Sequence, residues 1–267
     1  MTGEAASRAH LGLPGNQQHL LEAVAATGKP IVLVVFSGRP LTLGWAANHV
    51  PAILEAWFPG MQAGPALVRV LFGDVNPSGK LTVSFPRSVG QEPLYYNALN
   101  TGRPADGIDL TRPPTDHHEK YHSRYVDEQN SALFPFGYGL SYTNFTYSPL
   151  QLSATQLSPS GLNQKTEQSL HVSTTVKNSG SRSGDEIVEL YIRLRGANIS
   201  LPVRQLEGFQ RITLAAGESK RVEFTVGRDE LAFWNIDMQN TVEPASATVW
   251  IGPSSAEGES ADFAISK

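Results

Sequence analysis

Cysteine is absent from the 267-residue chain. That excludes disulfides, thiolate metal sites and a cysteine nucleophile, and it leaves the redox compartment open. Positive charge is also short: 21 Lys and Arg face 25 Asp and Glu, a formal net charge of -4. With no basic excess and no run of Lys and Arg, neither a nucleic-acid partner nor a membrane surface is expected. Long apolar runs are missing too. The longest, Ile31 to Phe36, falls far short of the roughly 20 residues that span a bilayer. Met1 to His10 lack the apolar core of a secretory leader, so no signal peptide is expected in this chain. No Gly-rich phosphate loop follows a strand, and no Gly-x-Ser-x-Gly elbow occurs. What is present is 40% hydrophobic and 17% charged residues, a composition that packs a core. The length suits about two domains of roughly 100–200 residues each.

The first half alternates helix and strand signals. Asn16 to Ala26 places Leu20, Leu21, Val24 and Ala25 on one helical face, with Gly28 as a stop. Ile31 to Phe36 is a continuous, mostly β-branched run, the pattern of a strand buried on both faces. Pro51 to Trp57 predicts a short helix or strand, Gln62 to Phe72 a helix, and Leu81 to Phe85 a short strand before Pro86. Strands alternating with helices imply a mostly parallel sheet covered by helices. Residues 90–130 form a long polar loop broken by Gly102, Pro104, Pro113 and Pro114. The second half changes period: Ser169–Val176, Glu186–Ile192, Lys220–Val226 and Ala247–Ile251 predict strands, separated by Asn178-Ser-Gly180, Ala215-Ala-Gly217 and Pro253-Ser. Strands at this spacing without helices between them predict an antiparallel β-sandwich.

Several groups invite a chemical reading. His118-Glu-Lys-Tyr-His122 matches the H-E-x-x-H pattern of zinc proteases, whose chemistry needs both His on one face of a helix. Here a polar loop follows Pro113-Pro114 with no amphipathic helix around it, so no metal is expected. Asp74 reads as a turn residue after a helix. Asp127 and Glu128 read as loop charges, with Arg124 holding the loop by pairing with one of them. Phe134, Phe136, Tyr138 and Tyr142 alternate with Pro135, Gly137 and Gly139, a pattern suited to a segment packed in a cleft between domains.

Three stretches resemble glycoside hydrolase family 3, in particular its bacterial periplasmic β-glucosidases. One is Trp57-Phe-Pro-Gly60 continuing through Leu71-Phe-Gly-Asp-Val-Asn-Pro-Ser-Gly-Lys-Leu81 to Ser84-Phe-Pro86. Another is Ser123-Arg-Tyr125 leading to Phe134-Pro-Phe-Gly-Tyr-Gly-Leu-Ser-Tyr142. The third combines Val176-Lys-Asn-Ser-Gly180, Gly184, Glu189-Leu-Tyr191, Gln205-Leu-Glu-Gly-Phe209, Pro244 and Ile251-Gly252. The resemblance implies a C-terminal α/β sandwich domain over residues 1–145, begun partway through, then a fibronectin type III-like β-sandwich over 146–267. It further implies an upstream (β/α)8 barrel, in the same polypeptide or in trans, carrying an Asp nucleophile.

The same resemblance places an acid/base carboxyl in Gly3-Glu4, before a short loop and Arg8, so Glu4 is the candidate catalytic residue; Ala5-Ala6-Ser7 replaces the Gly-Tyr-Asp of some members. The implied activity is retaining hydrolysis of a β-linked glucoside or oligosaccharide, without cofactor, in the periplasm or outside the cell. Retaining hydrolysis needs two carboxyl groups, so the isolated chain is expected to be inactive. A shortened parallel sheet is also expected to leave the first half with an open edge and reduced stability. The competing reading is a non-catalytic module that binds carbohydrate or protein through its sandwich.

Overall fold

Where the chain alternates helix and strand signals, it forms α1 (Gln17–Ala25), β1 (Val32–Val35), α2 (Gly44–His49), β2 (Ala52–Glu55) and α3 (Ala63–Leu71). The computed structural model describes residues 4–105, 108, 112–113, 118–163 and 168–266. They divide into two units. The first comprises Met1–Leu71, Val83–Tyr95 and Gly102–Pro135; the second comprises Phe72–Thr82, Tyr96–Thr101 and Phe136–Lys267.

In the first unit β1 and β2 pair in parallel, from Val32 opposite Ala52 to Val35 opposite Glu55. Among the described residues, this pair is the unit's whole sheet. The continuous apolar run at 31–36 is therefore not buried on both faces: Val32 is 51% exposed and Phe36 58%, while Val35 is buried. The difference follows from the pairing, since a strand with one neighbour and one covering layer leaves half its side chains to solvent. Both flanking helices show the same shortage. Leu21 is the buried residue of α1 and α3 buries none, while Leu20, Val24, Val68 and Leu71 are exposed. Leu81 to Phe85 forms no ladder either. Phe85 makes an isolated bridge to Phe134 and is held by its ring, edge-on to Phe134 and Trp57. Backbone hydrogen bonds fix both ends of the segment, Leu81 N–H to Tyr138 O at 2.9 Å and Phe85 N–H to Phe134 O at 2.8 Å, and ring packing adds to them at Phe85.

The second unit is an antiparallel sandwich, as its period-2 patterning requires. It contains β3 (Phe145–Tyr147), β4 (Gln151–Leu152), β5 (Gln156–Leu157), α4 (Pro159–Asn163), β6 (Leu170–Asn178), β7 (Gly184–Arg195) and β8 (Gln205–Leu214). These are followed by β9 (Ser219–Val226), α5 (Arg228–Leu231), β10 (Phe233–Trp234), β11 (Asn240–Thr241), β12 (Ala245–Gly252) and β13 (Glu259–Ile265). One sheet runs β5-β13-β12-β7-β8; in the other, β6 pairs with β9 on one edge and with β3 and β4 on the opposite edge. On β9 the alternation is plain: Val222, Phe224 and Val226 turn inward, and Arg221, Glu223 and Thr225 outward. They meet Val172, Val176, Val188, Leu190, Val249 and Ile251 in one continuous core. Each such side chain contributes roughly 1.5–3 kcal/mol on full burial, so the stability of the chain is concentrated here. The architecture is thus a partial α/β layer followed by an all-β sandwich, the fold class expected from the sequence.

One carboxylate works against the sandwich. Glu207 on β8 lines a cavity of about 50 Å³ with Asp229 and Glu230. Burial, with a smaller push from Glu230, raises its carboxyl to about 7 from the ordinary 4.5. Between those values the folded state holds a proton that the unfolded state releases, so stability falls as pH rises through the window. Glu207→Gln is therefore expected to match wild type below about pH 4.5 and to melt several degrees higher above neutrality, at about 2–4 °C for each kcal/mol. Thermal melts across pH 4–8 check this; curves parallel at every pH would show that Glu207 is not the cause.

Candidate functional site

Glu4 lies in an exposed turn, with Ala5 at φ 54. The loop after it is fixed from a distance in sequence. Arg39, just beyond β1, donates from Nη1 to the Arg8 carbonyl (2.8 Å) and from Nη2 to Ser7 Oγ (2.7 Å). Ser37 holds the Arg39 backbone, donating to its carbonyl at 2.7 Å and accepting from its N–H at 3.2 Å. Arg8 in turn donates to Gly12 O, and Thr42 N–H to Leu11 O. The segment carrying Glu4 is thus tied to the strand end by Ser37-Gly-Arg-Pro40, a role for Arg39 that sequence reasoning missed. Ser-Gly-Arg-Pro directly after a strand was the available signal. No hydrogen bond or ion pair among the described residues joins Glu4 to another side chain, and Met1 to Gly3 lie outside them.

The second feature of this unit is the corner at Trp57. Its backbone is in the left-handed region (φ 49), unusual for an aromatic residue, and Gly60 follows at φ 71. Such a conformation costs about 1–3 kcal/mol and persists only where its surroundings impose it. Here Glu55 Oε1 accepts the Trp57 N–H at 3.1 Å, and the indole packs edge-on to Phe85. Glu55 Oε2 is sealed from solvent without a partner among the described residues, and burial raises the carboxyl to about 7. That value suits a general acid, but an oxygen closed to solvent cannot meet a substrate. Glu55 is read as a positioning group for Trp57.

The remaining acids are structural or solvated. Asp74 is exposed in the bend after α3, and Asp127 is exposed in its loop. Glu128 reaches Arg87 (Nε–Oε1 4.0 Å), whereas Arg124 makes no ion pair among the described residues, contrary to its expected role. The loop is instead stapled by Asn130, which accepts from Tyr125 N–H and donates to Ser123 O, while Tyr125 Oη donates to Gly90 O. At the H-E-x-x-H sequence, Glu119 to Tyr121 form one 3₁₀ turn. Both Glu119 oxygens are taken by Arg112 at 2.9 Å, and His122 Nδ1 lies 2.6 Å from Pro104 O. A carboxylate held this way is not placed as a base between two metal ligands.

In the second unit, Asn76 does what a turn residue alone would not. Its Oδ1 accepts from Ser141 Oγ (2.9 Å) and Tyr142 N–H (2.7 Å), and its Nδ2 donates to Ser183 O (3.1 Å). Gly139 packs so closely on Gly79 that a Cβ there would overlap the Gly79 carbonyl. The aromatic run is shared out: Phe134 packs on Phe85 in the first unit, and Phe136 stacks on Tyr96 in the second at 4.3 Å between centroids.

Comparison with known proteins places these features. Residues 1–142 match the glycosyl hydrolase family 3 C-terminal domain, and residues 186–255 a fibronectin type III-like domain. The chain belongs to glycosyl hydrolase family 3. It is similar to a periplasmic beta-glucosidase of Salmonella typhimurium, 45% identical over 99% of this chain and 33% of that protein. A beta-xylosidase of Formosa agariphila is 43% identical over 95% of this chain and 32% of its own length. Among solved structures, a beta-glucosidase from Listeria innocua in complex with glucose superposes with a TM-score of 0.87 at 38% identity, covering 99% of this chain and 35% of that one. The chain spans about a third of the length of the relatives it matches. Among the described residues no helix is long and apolar enough to cross a membrane.

Proposed function

We propose that this chain supplies the acid/base part of a retaining β-glucosidase, with Glu4 as the acid/base residue. The carrying observation is the loop from Glu4 to Gly12, displayed to solvent at its tip yet anchored by Arg39 to the end of β1. A carboxyl so placed can donate a proton to a departing glycosidic oxygen and then, as carboxylate, take one from the incoming water. The nucleophile in this reading is an Asp of a (β/α)8 barrel, upstream or in trans, about 5–5.5 Å from Glu4 when assembled. The exposed apolar residues of α1, β1 and α3 support a further layer of structure covering them. In this reading residues 1–145 form the α/β part and 146–267 the fibronectin-like domain. The names of the bacterial relatives favour a β-glucoside as substrate and a periplasmic or extracellular location; the Formosa relative makes a β-xyloside the second substrate to try.

Hydrolysis of 4-nitrophenyl β-glucoside by the purified chain, by a family 3 barrel domain and by their mixture tests this. Turnover is expected only in the mixture, where the two co-elute on gel filtration. Equal turnover by the chain alone, or a co-eluting mixture with none, overturns the proposal.

A further inference from the structure

The sandwich unit contains a pocket that the hydrolase reading does not use. It opens beside β3 with a volume of about 470 Å³, within the roughly 300–1,000 Å³ typical of small-molecule sites. Its floor is a buried ion pair, Lys80 Nζ to Glu186 Oε1 at 3.6 Å, with side chains only 10% and 6% exposed. Tyr147 Oη donates to the same Oε1 at 2.8 Å, and Lys80 Nζ donates to Gly139 O at 3.3 Å. Phe145 and Tyr147 form one wall, and the exposed Glu257 and Glu259 stand at the rim.

Among the described residues Glu186 Oε2 accepts nothing, although the residue is nine-tenths buried. It is not sealed, because the residue lines the open pocket. Of the three protons on Lys80, one goes to Gly139 O and one faces Glu186 Oε1, leaving a third. A free carboxylate oxygen and a free ammonium proton at one floor can both be satisfied by a group that donates and accepts, as a hydroxyl does. A single hydroxyl would not fill the volume. Aromatic rings on one wall and two carboxylates at the rim suit a body with an apolar face and several further hydroxyls.

We propose that this pocket binds a neutral saccharide of one or two rings, with one hydroxyl donating to Glu186 Oε2 and accepting from Lys80 Nζ. Its rings lie against Phe145 and Tyr147, and its outer hydroxyls donate to Glu257 and Glu259. All of these residues belong to the second unit, so binding there stands or falls independently of Glu4.

The test is titration of the full chain with glucose and with cellobiose, followed by amide chemical shifts in ¹H–¹⁵N spectra. Saturable shifts confined to residues 139–147, 186 and 253–259 are expected, with millimolar affinity. Glu186→Gln replaces half the carboxylate by a donor and is expected to weaken binding about tenfold. The double variant Glu257→Gln/Glu259→Gln, on exposed positions that leave the core intact, is expected to weaken it about threefold. Absence of saturable shifts at roughly 100 mM of either sugar, shifts elsewhere, or affinity unchanged in the rim variant overturns the proposal, whether or not Glu186→Gln folds.

Discussion

Glu4→Gln in the reconstituted enzyme is expected to lower kcat for cellobiose by about 10²–10⁴-fold, the usual contribution of a positioned acid/base. The amide has the shape of the carboxyl but cannot give up a proton at the glycosidic oxygen. Substrates whose leaving group needs no proton respond differently. With 2,4-dinitrophenyl β-glucoside the first step is expected to survive, and turnover is then limited by water attack without a base. Added azide, a nucleophile that needs no deprotonation, should restore turnover and yield β-glucosyl azide. That dependence on leaving group separates chemistry from folding, because a misfolded loop would depress both substrates alike. Equal kcat for wild type and Glu4→Gln on cellobiose, with both co-eluting with the barrel, would remove Glu4 from the mechanism.

Lys80→Met is expected to destabilise the sandwich unit by about 3–5 kcal/mol, because it leaves the carboxylate of Glu186 buried without its cation. At about 2–4 °C per kcal/mol, the loss in Tm should reach about 10 °C. Burial already raises the Glu186 carboxyl above its ordinary 4.5, and Lys80 is what pulls it back. Without Lys80 the folded-state value rises further, so the added penalty grows as pH rises and shrinks as pH falls toward 4.5. Adding Glu186→Leu to Lys80→Met removes the orphaned charge and should recover most of the loss. A Tm within about 1 °C of wild type at pH 7 would mean that Glu186 is carried protonated, and that the pair contributes no ionic stabilisation.

Much of this molecule could be read from its residues. Period-2 runs such as 170–178 and 219–226 admit one solution, a half-buried strand, because a shift by one residue would exchange Val222 and Phe224 for Arg221 and Glu223. The change from helix-strand alternation to strands alone marked an α/β part followed by a sandwich, and the motif series at 57–86, 123–142 and 176–252 carried the family resemblance. Glu4 came from that resemblance; no periodicity selects one exposed carboxyl. Only the tertiary structure decided the rest. It bound Arg39 to Arg8, Asn76 to Ser141 and Lys80 to Glu186, pairs 31, 65 and over 100 positions apart in sequence. It made 31–36 a half-covered strand, and it held Leu81 and Phe85 by backbone hydrogen bonds to Tyr138 and Phe134 instead of in a strand ladder. Sequence patterns report what each residue demands of water and of its own backbone. Which polar group satisfies which depends on where distant segments meet, and that is set by the core as a whole.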